Sequence, residues 1–414
     1  MQRWVALLVV GMAAAASCRS GGPDPIVIGA VYPLSGSQGP GGVDEHRGVL
    51  LAAELVNQQG GVLGRPIEIR SIDVPGSDAV PAAIRSLDDQ GVRFVLGSYG
   101  STLSLPAADQ SARRGMLFWE TGAVGEMSGT AGGELVFRMA PSGGVLGRAA
   151  VAFVSEQLAP TLGRDPSSLR FAVAGVDDVY GRSVVDGAVE EIETRALPLA
   201  GTFPYTVRDA DYGDLASQIG RSDADVLFVA AYLGDGIELR REVVGQGLPL
   251  AVSIGTSSSY CMPEFGAALG PDAVGVFASD KPDADALDVA GLRPEAAELL
   301  DRARSAYRER HEEEMSAPAL AGFSAAWALF SSVMPTADDL TPRAVGRAAQ
   351  AVDIPIGGLP NGSGVRFAAP GEPDAGANLR AASVIWEWIR PNVRAVVWPP
   401  AFATTDIVVP APVG

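Results

Sequence analysis

Cysteine, histidine and aromatic residues are scarce in this chain of 414 residues, which has two cysteines, two histidines and 7% aromatic residues. So small a supply excludes a disulfide framework and leaves almost no material for a Cys/His zinc site. Basic residues are outnumbered too, because 31 Lys and Arg stand against 49 Asp and Glu and leave a net charge of −18. Phosphate binding needs a clustered basic surface, so we expect no nucleic-acid partner. We expect no metal and no cofactor either.

Catalytic signatures are missing as well. The sequence has no G-x-S-x-G, H-E-x-x-H or G-x-x-x-x-G-K-[ST] motif. Both histidines, His46 and His311, lie in polar helical stretches, where a solvated surface position is the expected role. We therefore predict that the protein is not an enzyme, and a hydrolase of esters or amides is the less favoured alternative.

The N-terminus is typical of an exported lipoprotein. An apolar run at 4–16 is too short to span a bilayer as a helix, and it ends in AASC, whose cysteine is Cys18. This ending resembles the bacterial lipobox, in which the cysteine becomes the lipid-bearing first residue. We predict a signal peptide at 1–17, a lipid anchor on Cys18 and a tether at 18–24, with an ordinary signal peptide as the alternative. Cys261 is then left without a partner and is expected to be a buried apolar residue.

Short apolar runs alternate with helical patterns through most of the chain. Strands are predicted at 25–31, 66–73, 92–98, 116–120, 134–139, 169–175, 225–232, 248–254, 274–279, 365–367, 379–389 and 394–399, and helices at 43–59, 79–90, 103–113, 145–159, 182–195, 236–246, 294–311, 318–333 and 341–352. Strands that are apolar on both faces and separated by helices indicate parallel sheets covered on both sides. The length exceeds what one core usually supports, so we expect two doubly wound α/β lobes.

Four segments carry a family resemblance. They are IGAVYPLSG (28–36), RGVLLAAELVNQQGGVLGRPIEI (47–69), VLGSYGSTLSLPAAD (95–109) and VYGRSVVDG (179–187). Together they resemble the periplasmic branched-chain amino-acid binding proteins, the receptors of ATP-driven importers. The resemblance implies the type I periplasmic-binding fold, in which two Rossmann-like lobes are joined by three hinge crossings. Carried onto this chain, it gives a lobe 1 of 25–141 plus 280–356 and a lobe 2 of 142–279 plus 357–414.

The resemblance also implies a function. The chain is expected to be a monomeric, extracytoplasmic solute-binding lipoprotein of an ABC importer, in the periplasm or at the cell surface. It would capture an amino acid or a related small polar solute by closure of two lobes and deliver it to ABC permease subunits. A ligand sensor of the same fold, acting on a signalling partner, is the alternative, and the sequence does not separate the two.

The first predicted part of the ligand site follows the strand at 92–98. In open parallel sheets, ligands bind beyond the carboxyl ends of strands, where helix N-termini present free N–H groups to an anion. Gly100 lets the backbone approach closely, and Ser101 or Thr102 begins the next helix. In the resembling family the first Ser here contacts the ligand carboxylate, which corresponds to Ser101. A capping role for Ser101 is the alternative, and the two roles are compatible.

The second predicted part follows the strand at 116–120. Family members place small residues and a Thr here, and this chain matches the small residues with Gly122 and Ala123 but has Val124 in place of the Thr. Glu120 and Thr121 are candidates to replace the lost polar contacts. For Glu120 a solvated or salt-bridged strand end is the alternative.

The third predicted part lies on lobe 2. Tyr180 and Tyr232 match family positions where tyrosines close over the ligand, or else they pack at the rim between lobes. Ser257 stands about where amino-acid binders of the family have an acid that pairs with the ligand ammonium. Either Glu120 or Asp235 substitutes for that acid, or the ligand is an amide, a urea-like molecule or a small carboxylate. The serine run around Ser257 is equally compatible with a helix cap or a simple loop.

We predict that Cys18→Ser releases the mature protein from membrane fractions, because the serine cannot carry the thioether-linked lipid. Cell fractionation followed by immunoblotting measures this. Cys261→Ser, which changes the other cysteine, is the matched control and should leave the fractionation unchanged. Persistent membrane association of the Cys18 variant would contradict the lipid anchor.

Overall fold

A computed structural model describes residues 23–125, 133–284, 287–372 and 374–408 of the chain. The predicted signal peptide, the predicted lipid anchor Cys18 and most of the predicted tether lie outside the described residues.

The N-terminal part is an alternating α/β unit built on one parallel sheet. Its elements are β1 (Ile26–Tyr32), α1 (Gly39–Gln58), β2 (Ile67–Asp73), α2 (Val80–Asp89), β3 (Phe94–Gly97), α3 (Ser101–Arg113), β4 (Leu117–Glu120) and β5 (Val136–Arg138). The strands lie in the order β2-β1-β3-β4-β5, and every neighbouring pair is parallel. Strands β3 and β4 are buried along their whole length, since helices cover both faces of the sheet.

The rest of the chain forms a second α/β unit and a C-terminal group of helices and strands. The elements are α4 (Gly143–Phe153), α5 (Ala159–Thr161), β6 (Phe171–Val176), α6 (Val179–Thr194), β7 (Leu199–Tyr205), α7 (Tyr212–Gly220), β8 (Val226–Ala230), α8 (Leu233–Gly245), β9 (Val252–Thr256), α9 (Pro263–Leu269), β10 (Phe277–Asp280), α10 (Pro294–His311), α11 (Ala317–Trp327), α12 (Pro342–Ala351), β11 (Val384–Arg390) and β12 (Val393–Trp398). The second sheet has the order β12-β11-β10-β9-β8-β6-β7. Strands β6 to β10 pair in parallel, and the β11–β12 hairpin joins β10 antiparallel.

Two doubly wound parallel sheets confirm the fold class expected from the sequence. Both sheets have the same strand order around their first strand, with the second strand on one side and the third on the other. The carboxyl ends of the strands nearest this reversal are the places where such folds bind ligands.

Three elements escaped the sequence analysis. Strand β7 lies at the edge of its sheet, alternates between exposed and half-buried residues and contains Pro204, so it lacks the apolar run of a central strand. Helices α7 and α9 have only nine and seven residues, too few for a clear helical period. The predicted strand at 365–367 is replaced by isolated bridges, in which Phe367 pairs with Asn378.

The segment that contains these bridges lies against the first sheet. The Phe367 ring packs edge-on to Trp119 and Phe137, with centroid distances of 5.3 and 4.9 Å, and Arg138 of β5 bridges to Ala377. The boundary at 357 had assigned this segment to lobe 2. Aromatic packing against β4 and β5 holds it on the first sheet instead, so the chain crosses to the second sheet after this segment.

Helix α11 is a core helix. Together with the turns that follow, it forms a stretch at Ala317–Thr336 that is long and apolar enough to cross a membrane, but 83% of its most apolar window is buried inside the protein. The helix packs against α1, and Gly48 and Gly322 bring the two backbones close together. An apolar helix of this kind is explained by protein packing on several sides.

We predict that Gly48→Ala destabilises the protein by about 1–3 kcal/mol, because the new methyl group would overlap the Ala319 carbonyl oxygen and the backbone cannot yield easily. Urea unfolding measures the effect. Gly245→Ala in α8 is the matched control, since no atom lies within 4 Å of the added methyl group, and it should leave the unfolding midpoint unchanged or raised. Equal midpoints for the two variants would show that α1 and α11 do not pack this closely.

Candidate functional site

A cavity lies between the two sheets, at the carboxyl ends of their strands. Residues after β3 and β4 form one wall, residues after β8 and β9 and the first turn of α6 form the other, and the end of β10 closes the side where the chain crosses over. Its volume is about 90 Å³. One water needs only ~10–15 Å³, so the cavity has room for a small solute.

The structure brings together five of the nine residues predicted for the ligand site. The five that line the cavity are Ser101, Gly122, Tyr180, Tyr232 and Ser257. The other four lie outside the lining and are Thr102, Glu120, Thr121 and Ala123. Strand-end loops far apart in sequence thus meet at one place, as expected for two parallel sheets that face each other.

Ser101 is placed by a tight turn at the start of α3. Tyr99 has a φ of +74°, and Gly100 is the extended residue before the helix. No side chain caps this helix; the Ser101 hydroxyl oxygen instead accepts a hydrogen bond from the Gly125 N–H at 2.9 Å. The hydroxyl hydrogen therefore remains available to an acceptor in the cavity, beside a helix N-terminus that favours negative charge.

The side chain of Glu120 holds the first residues of the loop after β4. Glu120 Oε1 accepts hydrogen bonds from the N–H groups of Gly122, at 2.9 Å, and Ala123, at 2.5 Å. The sequence interpretation offered backbone groups of this loop to a ligand head group. These two N–H groups are already bonded to Glu120, so the loop presents mainly Gly122 and the apolar Val124 to the cavity.

Glu45, Glu120 and Lys281 form a buried charge cluster beneath this loop. Thr121 Oγ1 donates to Glu45 Oε1 at 2.6 Å, and Lys281 Nζ donates to the Gly122 carbonyl oxygen at 2.8 Å. The two carboxylate side chains are fully buried, and Lys281 is 6% exposed. Both polar groups of the Gly122 backbone are therefore bonded to side chains, one from the neighbouring Glu120 and one from the distant Lys281.

Burial governs the protonation of the two acids in the buried charge cluster. It raises the pKa of Glu45 to about 7, although the Lys281 ammonium opposes the shift. Burial, reinforced by the neighbouring Glu45, raises the pKa of Glu120 to about 8. Within the described part of the chain, Oε2 of each acid has no hydrogen-bond partner. Near neutral pH the cluster therefore carries less than its full negative charge, which matches the single ammonium beside it.

Glu45 and Lys281 were missed by the sequence analysis. Lys281 is the only lysine in a chain whose other 30 basic residues are arginine, and it comes two residues after the end of the predicted strand at 274–279. A single lysine close to the end of a predicted strand was the signal by which the sequence could have indicated Lys281. A compact ammonium on a flexible stem can bond one carbonyl oxygen in a confined place, whereas a planar guanidinium needs several acceptors.

Tyr180 and Tyr232 face the cavity with their rings, which lie 5.2 Å apart. The Tyr180 hydroxyl contacts the Ser257 carbonyl oxygen and Thr256 Oγ1, the latter at 2.8 Å. The Tyr232 hydroxyl donates to Asp178 Oδ2 at 2.6 Å. Both hydroxyl groups are thus bonded within the second lobe, and the pair offers a solute an aromatic wall.

Neither acid proposed as a substitute at position 257 reaches the cavity. Glu120 is bonded to the loop behind it, and Asp235 accepts from the Tyr205 hydroxyl at 2.5 Å. The lining instead includes Asp280, the last residue of β10, which the sequence analysis missed. Its position directly after an apolar strand run was the signal that could have found it.

The two sides of the cavity touch each other at its rim. A methyl group added at Gly125 would lie 2.6 Å from Ser101 Cβ and 3.0 Å from Val179 Cγ1, at the first residue of α6. Only a glycine fits between these residues, so the close approach of α3 and α6 depends on it.

Of the remaining candidate groups, Cys261 lines the cavity and His46 lies outside its lining. Cys261 is buried, as predicted, and its thiol donates to Asp280. His46 is half-buried rather than solvated; its Nε2 lies 2.6 Å from Ser71 Oγ, and burial lowers its pKa to about 4. Across the ranges that the structure describes, no group of three or more His, Cys, Asp or Glu side chains could hold a metal ion.

Comparisons with known proteins agree with this geometry. The family described as periplasmic binding protein matches residues 25–390. The Leu/Ile/Val-binding protein homolog 8 of Brucella suis biovar 1 (strain 1330) is 27% identical over 383 residues, which are 92% of this chain and 92% of that protein.

Solved structures share the fold. The branched-chain amino acid transporter substrate binding protein LivJ from Streptococcus pneumoniae, in complex with isoleucine, has a TM-score of 0.71 and 18% identity and covers 91% of this chain and 100% of its own. A solute binding protein from R. palustris, in complex with benzoate, has a TM-score of 0.71 and 15% identity, with coverages of 93% and 98%. At these identities the likeness establishes the fold alone.

We predict that the protein loses stability between about pH 6.5 and about pH 9 and that Glu120→Gln makes this loss smaller. A raised acid pKa means that the folded state binds a proton that the unfolded state has released, so the free energy of unfolding falls as pH rises through the folded pKa. One such group contributes at most about 1.4 kcal/mol per pH unit. Urea unfolding of both proteins over this range measures the two slopes.

His46 does not interfere with this measurement, because a lowered histidine pKa affects stability only below about pH 6.5. Glu387, whose pKa burial raises to about 7, contributes equally to both proteins. Identical slopes for the parent and the variant would contradict the buried, proton-binding state of Glu120.

Proposed function

The chain belongs to the periplasmic binding protein family, and from this premise we propose that it is the solute-binding lipoprotein of an ABC importer, anchored to the membrane through Cys18. The family is one of extracytoplasmic solute-binding proteins and not of enzymes. The observation that carries the proposal is the cavity enclosed by strand-end loops of both sheets. The curated relatives named Leu/Ile/Val-binding protein homologs support the same class of function.

Closure of two lobes around the solute is the proposed mechanism. Lobe 1 comprises 25–141 and 280–356 together with the segment at 365–378 that packs on the first sheet, and lobe 2 comprises 142–279 and the β11–β12 hairpin. Ser101 offers a hydroxyl and the α3 N-terminus from lobe 1, and Tyr180 and Tyr232 offer rings from lobe 2. A solute that bridges the lobes favours the closed form, and shifting the population from about 1:99 to 99:1 takes roughly 5.5 kcal/mol of differential binding.

The proposed ligand is an amino acid or a related small polar solute. The cavity volume suits a small molecule, and its lining combines a helix N-terminus, serine hydroxyls and two aromatic rings. Neighbouring structures hold isoleucine in one case and benzoate in another, so this fold accepts both amino acids and simple carboxylates.

Transport is favoured over sensing because the similar proteins with stated functions belong to ABC transporters. Uptake of the ligand in a strain that lacks this protein distinguishes the two. Loss of uptake, together with recovery of permease subunits on affinity purification, supports transport. Normal uptake and recovery of a signalling protein would instead support a ligand sensor.

We predict that Ser101→Ala weakens solute binding by about tenfold or more, because the variant removes a hydroxyl that donates into a desolvated cavity. A thermal-shift screen over amino acids, amides, ureas and small carboxylates identifies the solute, and calorimetry measures its affinity. Thr102→Ala is the matched control, since Thr102 follows in the same helix but does not line the cavity. Equal affinities of both variants would remove Ser101 from the site.

A further inference from the structure

The carboxylate of Asp280 lies in the cavity lining, and its contacts with other described residues do not explain its position there. Asp280 is 3% exposed and lines the cavity at the end of β10. Its Oδ2 accepts a hydrogen bond from the Cys261 thiol at 2.8 Å, whereas Oδ1 has no hydrogen-bond partner among the described residues. A buried charged oxygen left without a donor is costly, so an arrangement of this kind points to a missing partner.

The two cations that line the same cavity already bond other groups. Lys281 Nζ donates to the Gly122 carbonyl oxygen, and Arg394 bonds Asp283 and lies over the Trp386 ring at 4.5 Å from its centroid. Neither cation forms a direct salt bridge with Asp280 among the described residues. Lys281 and Arg394 therefore act on the Asp280 carboxylate by electrostatic attraction at longer range.

These cations favour the ionised form of Asp280. Burial raises the pKa of Asp280, and the Lys281 ammonium is the strongest opposing influence, followed by the Cys261 thiol. Burial outweighs these influences, so the charges around Asp280 stabilise its ionised form only in part, and Oδ1 has no hydrogen-bond partner among the described residues. A cationic nitrogen of the solute would supply that donor and form a charge-assisted hydrogen bond.

We propose that Asp280 is the acid that binds a positively charged nitrogen of the solute, in place of the acid that position 257 lacks. This inference rests on the proposed function and narrows the chemical class of the solute. Ser257 offers no charge, and its carbonyl oxygen is bonded to Tyr180. A solute that places its cationic nitrogen on Asp280 and an anionic or polar end near Ser101 and the α3 N-terminus meets complementary charge at both ends. Ammonium-bearing solutes therefore bind here in preference to neutral amides, ureas and simple carboxylates.

A solute bound to Asp280 affects the two lobes differently from a solute bound to a loop of one lobe. Asp280 lies where the chain leaves the second sheet, directly before Lys281, which bonds the Gly122 loop of the first lobe. A solute bound to Asp280 therefore neutralises a charge at the crossing between the lobes. Asp280 is thus a specificity-determining residue at the hinge side of the cavity.

The test compares pairs of probes that share one carbon skeleton. Each L-amino acid is paired with the carboxylic acid that lacks its amino group, such as L-leucine with 4-methylpentanoate and L-phenylalanine with 3-phenylpropanoate; benzoate, urea and acetamide complete the panel. Thermal shift followed by calorimetry on the parent protein measures which members bind. We expect an ammonium-bearing probe to bind about 10- to 100-fold more tightly than its deaminated partner.

Asp280→Asn then assigns the residue. The variant keeps the size of the side chain and removes its charge, so the affinity for the ammonium-bearing probe should fall by about 10- to 100-fold while the deaminated acid is unaffected or gains. Asp272→Asn is the matched control, because it makes the same change at an exposed residue that does not line the cavity, and a change of less than about twofold is expected. If Asp280→Asn does not fold, as judged by circular dichroism, Asp280→Glu keeps the charge but displaces the carboxylate by one methylene group, so the ratio of affinities for the ammonium-bearing probe and its deaminated partner should change.

The other outcomes separate a failure of the Asp280 assignment from a failure of the solute-binding function. An unchanged ratio of the affinities for the ammonium-bearing probe and its deaminated partner in Asp280→Asn, or in Asp280→Glu where the first variant does not fold, would remove Asp280 from the site and leave the solute-binding function intact. Binding of deaminated acids, urea or acetamide alone would overturn the cationic class of ligand. Absence of binding by every probe to the parent protein would count against the solute-binding function itself, and with it against this assignment.

Discussion

The backbone of Gly122 is held on both sides by buried charged side chains, and the cavity depends on that restraint. Glu120 accepts the Gly122 N–H, and Lys281 donates to its carbonyl oxygen. Hydrogen bonds of this kind are strong in a buried setting where water does not compete. The backbone at Gly122 and Ala123, directly after β4, is therefore held in place by these contacts. A solute meets a surface whose polar backbone groups already have partners, so its own recognition must come from the hydroxyls, rings and charges around that wall.

The charges at the crossing between the lobes connect the two halves of the molecule. Side chains of successive residues in an extended chain point to opposite sides. Asp280 accordingly contacts Cys261 of the second lobe, and Lys281 contacts the Gly122 loop of the first. The second lobe adds two tyrosines to the lining, and their hydroxyl groups are bonded within their own lobe. Polar recognition is thus concentrated at the α3 N-terminus and at the crossing, with an aromatic wall between them.

Much of the fold and part of the candidate site could be predicted from the sequence. Strands buried on both faces, such as β3, are read directly from unbroken apolar runs, and Ser101 could be found because a glycine-rich turn follows such a strand. The edge strand β7 could not be predicted, because its half-exposed residues and a proline remove the apolar pattern of a strand. Glu45, Asp280 and Lys281 were missed because each contributes through contacts with residues far away in the sequence. The aromatic packing of Phe367 on the first sheet was missed for the same reason.

The amino-acid sequence by itself determined the alternation of strands and helices, the two parallel sheets and the loops from which a ligand site could be built, because periodicity and turn residues act over short stretches of chain. Only the tertiary structure decided which side chains face the cavity. It turned Glu120 toward its own loop, bonded the tyrosine hydroxyls within the second lobe and left one oxygen of Asp280 without a partner in the part of the chain that the structure describes. The physical reason is that burial and hydrogen bonding are properties of the whole folded chain: which donors a carboxylate meets depends on how separate segments pack around it, as Glu45 meets the Thr121 hydroxyl 76 positions away.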